Sequence, residues 1–495
     1  MYKRIVAYGL CIAFLLVTLV GRVTYISMDG TYTVGSGYNS YSLVVDRITP
    51  TLYYRDMKRL TNDTFTYIAV IRPTEKCIGE LDKIFTKSQV HEIIDELKLG
   101  KPIVKQIKNN PKTNYINIVK VPSTAEKKPQ LIAKESSGFE SYIQEEQGIM
   151  RINFDVDALG RILSGDEGSF SYTDYDEKYG YVLSLDSDIQ SYVNSAMQNV
   201  STGAAVVMDV KTGGILACVS KPENSYLNRV FCQYAVGSVF KIVVALSAVE
   251  NGVTPQYDCN GVIKVCDTEF SCAHKTKHGK QDLRSALGNS CNCYFVNLAL
   301  SLGCEKLLDT SKKLGYDSTT NLFANWSIQN GLLPQKTDLM SPGQLALLGF
   351  GQGRLTASPL QICSTLATIG NDGIFTQPNL IVSRINHSGQ RIDVNYKSKR
   401  VIESESAKTI QNYLRYVVTD GTGYGAEDSR HKSSGKTATA QTGQFKYGRE
   451  LMNTWFAGLY PYDNPKYAIV VVKEAGDSGA RDCCPIFRTI VENLN

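Results

Sequence analysis

The sequence is short of several features that would give its function away cheaply. No stripe of basic residues stands out, and 53 Lys and Arg against 48 Asp and Glu leave a net charge of only +5 over 495 residues. That dilution argues against a nucleic-acid binder. No Cys-x-x-Cys pair occurs anywhere, although the chain carries 13 cysteines. Beyond the first thirty residues, no apolar run approaches the roughly 18 residues of a bilayer span. What is present is ordinary: 43% hydrophobic and 20% charged residues exclude a wholly disordered or fibrous chain. The length exceeds what one core usually holds, so two or three domains are expected.

The first residues set the expected compartment. Lys3 and Arg4 precede an uncharged run, residues 5–20, which Gly21, Arg22 and the apolar stretch 23–26 extend. Arg22 can snorkel to the far interface, so the run reads as one transmembrane helix with the N-terminus cytoplasmic and everything after it outside. No small-x-small cleavage site follows, which favours an uncleaved anchor over a signal peptide. Outside the anchor, isolated Cys218, Cys232 and Cys363 read as small buried hydrophobes. Cys259, Cys266, Cys272, His274 and His278 have the residue types of a zinc site, but their spacing fits no common zinc module, and no metal is expected.

Three regions follow from texture: 1–28 as cytoplasmic stub and anchor, 29–178 as a small α+β pedestal, and 179–495 as the main domain. In the pedestal, residues 66–71 and 115–121 alternate like strands, and 88–99 has helical spacing stopped by Gly100. No catalytic constellation appears there. In the main domain, residues 188–200 read as an amphipathic helix, and 204–209 with 215–220 as a hairpin around Lys211–Gly214. A second strand pair, 454–460 and 467–472, closes the chain around residues 462–465. Mostly helical sequence lies between, so an antiparallel sheet built from both ends should clasp a helical middle, an α/β (α+β) fold.

Chemistry concentrates in three places. Ser238 opens an apolar helix, with Lys241 three residues on, on the same face and within reach. Phe240, Ile242 and Val243 would desolvate the ammonium and lower its pKa, which lets a lysine take a proton from serine. Ser290-Cys291-Asn292 precedes a second apolar helix, and Lys436-Thr437-Ala438-Thr439 lies just before the final strands. Gly435-Lys436-Thr437 also ends like a phosphate-binding loop, but Arg430 stands where that motif needs its first glycine.

Serine with lysine, then Ser-x-Asn, then Lys-Thr-x-Thr, in that order, is the signature of the penicillin-recognising serine acyltransferases. The chain resembles a class B penicillin-binding protein, a monofunctional peptidoglycan transpeptidase. The likeness takes in Gly214–Ala217, Leu227-Asn228-Arg229, Gly351-Gln352-Gly353, Pro359-Leu360-Gln361 and Asp420–Gly423, and covers residues 181–495. Upstream, residues 52–61 are similar to the juxtamembrane motif of the same proteins. Ala438, where the family usually has glycine, is expected to point its methyl away from the site, with Thr437 and Thr439 sharing the opposite face.

The resemblance implies a transpeptidase/β-lactamase-like domain in which Ser238 attacks the penultimate D-alanine carbonyl of a stem peptide and Lys241 accepts its proton. Ser290 relays that proton to the leaving amine, Asn292 bonds the donor amide, and Lys436 holds Ser290 and the substrate carboxylate together with Thr437 and Thr439. Backbone N–H groups of Ser238 and Thr439 would form the oxyanion hole. No metal or organic cofactor is implied. The implied partners are peptidoglycan stem peptides, β-lactams, the membrane, and a membrane-embedded glycan polymerase of division or elongation. A D,D-carboxypeptidase, a β-lactamase, and a catalytically silent scaffold of the wall-synthesis complex are the alternatives.

Overall fold

A computed structural model describes residues 14–22, 40–62, 64–123, 148–156, 178–223, 225, 227–323, 326–427 and 430–494. Residues 14–22 are helical and exposed, and the rest of the N-terminal apolar run lies outside the described residues. Among the described residues, no helix is long and apolar enough to cross a membrane. The chain divides into two compact units, one formed by residues 1–48, 65–122 and 149–175, the other by 49–64, 123–148 and 176–495.

In the first unit, strand Thr64–Ile71 lies between Ile103–Ile107 and Asn117–Ser123. Helix Lys87–Leu97 turns Ile93 and Leu97 into an apolar cluster with Ala69, Ile71, Leu81 and Ile107. Gly100, at φ +70°, ends that segment in the left-handed region, as the sequence suggests. Strands Ser40–Ile48 and Gly148–Asp155 pair separately.

The second unit is organised by a five-stranded antiparallel sheet. Its order is Ser434–Lys446, Arg449–Tyr460, Tyr467–Lys473, Gly203–Asp209 and Ile215–Lys221. Tyr467 pairs with Asp209 and Lys473 with Gly203, so strands from the two ends of the unit meet at the sheet centre. Apolar residues on both faces of these strands explain why both are covered. Ala205, Val207, Phe456 and Val471 pack with helices Ser187–Ala196 and Cys484–Glu492. Ala204, Val206, Trp455 and Val470 pack against the helical middle, including Lys241–Glu250 and Pro359–Gly370. Helix Ser187–Ala196 is shorter than its sequence pattern, and Asp186 caps it by accepting from the N–H groups of Asp188 and Ile189 at 3.1 Å.

One strand arrangement departs from the expected all-antiparallel design. Thr51–Tyr53 runs parallel to Gly180–Leu183, which continues into Ile381–Ile385 and Arg391–Asp393. Residues 49–64, assigned by texture to the pedestal, therefore belong to the second unit, where Leu52 and Leu60 join its main core. Three residues are too few for strand periodicity to register. Leu52 is 1% exposed, so Leu52→Ala should destabilise the second unit by about 2–4 kcal/mol. A urea titration read by Trp fluorescence checks this, because both tryptophans, Trp326 and Trp455, lie in that unit.

Candidate active site

Gly237–Phe240 forms a 3-10 turn that runs directly into helix Lys241–Glu250. With three residues per turn, Ser238 and Lys241 lie one above the other. The helix is apolar on all sides, so residues 241–248 are all buried, Lys241 included. The turn is fixed by two close backbone approaches. Gly237, at φ +54°, lies against Ala440 of the edge strand and donates its N–H to Gly351 O at 3.0 Å. Gly351, at φ +81°, has no room for a side chain, because a Cβ there would sit 1.9 Å from Gly237 O. That steric limit gives the Gly351-Gln352-Gly353 segment its physical role.

The Lys241 ammonium donates to Ser290 O at 2.7 Å, Asn292 Oδ1 at 2.7 Å and Ser290 Oγ at 3.3 Å. Among the described residues, no hydrogen bond joins it to Ser238, which is half-buried. The Phe295 ring centroid lies 5.4 Å from the ammonium. This aromatic cover comes from another helix, and sequence adjacency gave no sign of it. Burial pushes the Lys241 pKa down to about 8, with the nearby sulfurs of Cys291, Cys272 and Cys293 pulling the other way.

Ser290 sits between helices Leu283–Gly288 and Asn292–Leu302 with φ +52°, a left-handed conformation costly for a side chain. That turn presents both its carbonyl and its hydroxyl to Lys241. Asn292 donates its Nδ2 to Ser271 O at 2.9 Å, which orients Oδ1 toward the lysine. Cys291 caps the second helix, its sulfur accepting from Tyr294 N at 3.4 Å.

Lys436 lies on the strand at the sheet edge, fully buried. Its pKa is held well below the ordinary lysine value by burial first and by the charge of Lys241 second. The ammonium donates to Thr437 O at 3.0 Å rather than to Ser290. The hydroxyls of Thr437 and Thr422 are 2.7 Å apart, and Thr422 N donates to Gly288 O at 3.1 Å, so the Asp420–Gly423 segment bridges the edge strand and the Ser290 region. Thr439 Oγ1 accepts from Gly479 N at 3.4 Å. Both threonine hydroxyls expected on a substrate carboxylate thus have protein partners here.

Ala438 corrects an expectation. Side chains alternate along the strand, so Ala438 shares a face with Lys436 and Ala440, and Ala440 meets the serine turn. Its methyl is buried with Trp455 and Ala457, its neighbours across the sheet, and so lies on the serine side rather than pointing away. Thr437 and Thr439 do share the opposite face. Beside the turn, a cleft of about 440 Å³ is lined by Gln233, Tyr234, Gly351, Gln352, Gln441 and Glu474. Glu474 accepts from Arg229 Nε at 2.9 Å and from Tyr234 Oη at 2.7 Å, a network that sequence spacing did not signal beyond the Arg229 motif.

Residues 203–492 match the family described as the penicillin-binding protein transpeptidase domain. Stage V sporulation protein D of Bacillus subtilis is 28% identical over 68% of this chain and 55% of its own length. The peptidoglycan D,D-transpeptidase FtsI of Escherichia coli K12 is 26% identical over 68% of this chain and 58% of its own. The chain therefore spans under two thirds of the length of these relatives. Among solved structures, penicillin-binding protein 3 of Mycobacterium tuberculosis complexed with aztreonam has a TM-score of 0.64 at 22% identity, covering 92% of this chain and 96% of its own. A peptidoglycan synthetase from Bifidobacterium adolescentis reaches 0.70 at 15% identity with the same coverages. These likenesses show the fold, and the family match spans more than half of the chain with the serine, Ser-x-Asn and Lys-Thr segments inside it: the chain belongs to the penicillin-binding protein transpeptidase domain family.

Proposed function

We infer that this protein is a serine D,D-transpeptidase that cross-links peptidoglycan stem peptides and is acylated by β-lactams. The observation that carries the reading is Lys241, an ammonium buried three residues after Ser238 and held by Ser290 and Asn292, with no carboxylate partner among the described residues. A lysine whose pKa is about 8 is neutral often enough near neutral pH to act as a base.

In the proposed reaction, Ser238 Oγ attacks the carbonyl of the penultimate D-alanine while Lys241 Nζ takes its proton. The backbone N–H groups of Ser238 and Thr439 would receive the tetrahedral oxyanion, a reading that the close approach of Gly237 to Ala440 supports. The C–N bond breaks, and Ser290 passes a proton from Lys241 to the departing D-alanine amine. Asn292 binds the donor amide, and Lys436, Thr437 and Thr439 receive the terminal carboxylate once the hydroxyls leave Thr422 and Gly479. An amine from a neighbouring strand then attacks the ester and releases Ser238. In a β-lactam the cleaved amide is part of a ring, so the amine stays tethered and the ester persists.

The remaining regions fit a wall synthase held outside the membrane. Residues 1–28 would serve as the anchor, with the N-terminus cytoplasmic. The region between the anchor and the transpeptidase domain, residues 29–178, would act as a pedestal and contact a membrane-embedded glycan polymerase of division or elongation. Several relatives are named peptidoglycan D,D-transpeptidases, which supports the reaction class.

The decisive experiment is intact-mass analysis of the full chain after exposure to penicillin. A long-lived adduct on Ser238 is expected, and Ser238→Ala should lose it while melting at the same temperature. An adduct on another serine would overturn the assignment, and rapid release of hydrolysed drug would favour the β-lactamase reading. The pH dependence gives an independent check. Neutral Lys241 is the base, so the acylation rate should rise roughly tenfold per unit below pH 7 and flatten above about pH 9. Lys241→Ala should slow acylation on the order of a hundredfold and abolish that rise. A flat profile in the unaltered enzyme would remove Lys241 from the role.

A further inference from the structure

Next to this site the fold gathers four groups that the reaction scheme leaves unused. The sulfurs of Cys259, Cys272 and Cys291 and a ring nitrogen of His278 all lie within 4.8 Å of one another. The three cysteines are buried, and each ligand comes from a different place in the fold. Cys259 ends strand Tyr257–Cys259, and His278 directly precedes its partner strand Gly279–Gln281. Cys272 follows strand Thr268–Ser271, and Cys291 caps helix Asn292–Leu302.

We propose that Cys259, Cys272, Cys291 and His278 bind one zinc ion in a closed tetrahedral site. The distances carry the argument. Zinc–sulfur bonds of about 2.3 Å and zinc–nitrogen bonds of about 2.05 Å at tetrahedral angles require edges of about 3.8 Å between sulfurs and about 3.6 Å from sulfur to nitrogen. The structure has 3.7 Å from Cys259 Sγ to Cys272 Sγ, 3.7 Å from Cys272 Sγ to Cys291 Sγ, and 3.6 Å from Cys259 Sγ to His278 Nδ1. Those separations are far longer than the roughly 2.05 Å of a disulfide, and pairing two of three thiols would strand the third and the imidazole. Cys218 and Cys363, buried singly elsewhere, have the simpler role of core hydrophobes.

The donor set matches the chemistry. Three thiolates and an imidazole are a borderline-soft set, and four protein ligands leave no open position, which marks a structural rather than a catalytic ion. Anionic sulfur is also supported from outside the tetrahedron. Tyr294 N donates to Cys291 Sγ at 3.4 Å at the positive end of its helix. Binding to reduced thiols releases protons and changes no oxidation state.

The site has a consequence for the cleft. Cys291 stands between Ser290 and Asn292, the two residues that accept from Lys241, and Cys272 follows Ser271, whose carbonyl accepts from Asn292. The ion would therefore clamp the strained Ser290 turn to the two small hairpins and hold the lysine's acceptors in place. Sequence spacing concealed the site because Cys291 was read with the Ser-x-Asn segment and not with the upstream cysteines. Cys266, which was read with them, is exposed and stands outside the group, as does His274.

The test is metal analysis of the full chain purified under reducing conditions from zinc-supplemented medium, without metal-affinity steps. About one zinc per chain is expected, retained in Cys218→Ser and in Cys266→Ser and lost in Cys272→Ser and in His278→Ala. Because a ligand variant can fail to fold, the unaltered chain is also exchanged with cobalt(II). Intense visible bands of a tetrahedral ion together with sulfur-to-cobalt charge-transfer absorption are expected, and X-ray absorption should fit three sulfurs and one nitrogen. Removing the metal with a strong chelator should lower the melting temperature, and zinc should restore it. Chains that fold and bind penicillin with no metal, a native disulfide between any two of these cysteines, or an octahedral cobalt spectrum would each overturn the proposal.

Discussion

The structure of the second unit is arranged around one electrostatic constraint: Lys241 is a buried side-chain amine with no carboxylate among the described residues to neutralise it. Among the described residues its partners are a backbone carbonyl, an amide oxygen and a hydroxyl. Neutral acceptors satisfy the N–H groups without stabilising the charge as a carboxylate would, and that balance leaves the pKa near 8 instead of above 10. A salt bridge at the same position would pin the proton. The second buried lysine, Lys436, feels the same constraint: burial first and the charge of Lys241 second hold its pKa well below the ordinary lysine value.

Meeting that constraint shapes the backbone around it. Ser290 offers its carbonyl and hydroxyl together from the left-handed region, a strain of about 1–3 kcal/mol that surrounding contacts must offset. Those contacts are visible: Asn292 is tied to Ser271, Cys291 caps the following helix, and Thr422 ties Gly288 to Thr437. On the other side of the cleft, Gly237 and Gly351 let two backbones approach more closely than any side chain allows. The serine turn is thereby pressed against the strand at the sheet edge. A strand at a sheet edge is a ready partner for an extended peptide.

The sheet supplies the rigidity that this arrangement needs. Its central pairing joins strands from opposite ends of the unit, so the edge strand carrying Lys436 is backed by four others and by packed apolar layers on both faces. Ala438 illustrates the consequence. Its methyl sits on the serine face yet is buried with Trp455 and Ala457, so it is accommodated by core packing beside the cleft.

The sequence by itself determined the elements whose signal is local. Ser238, Lys241, Ser290, Asn292 and Lys436 could be named from motifs, because acylation chemistry demands those residue types at short fixed spacings. The hairpin at residues 203–221 and the closing strands were legible from alternation bounded by turn residues. Tertiary structure decided whatever joins residues distant in the chain. It set Phe295 by Lys241, gave Lys436 and the two threonine hydroxyls their present partners, turned Ala438 toward the serine side, and moved residues 49–64 from the pedestal into the second unit. The cysteine and histidine group belongs there too, since its four ligands meet only after two hairpins and a helix cap have packed together. The physical reason is common to all of these: a motif records which neighbours along the chain a reaction needs, whereas burial, side-chain facing and hydrogen-bond choice depend on which surfaces the folded chain brings into contact.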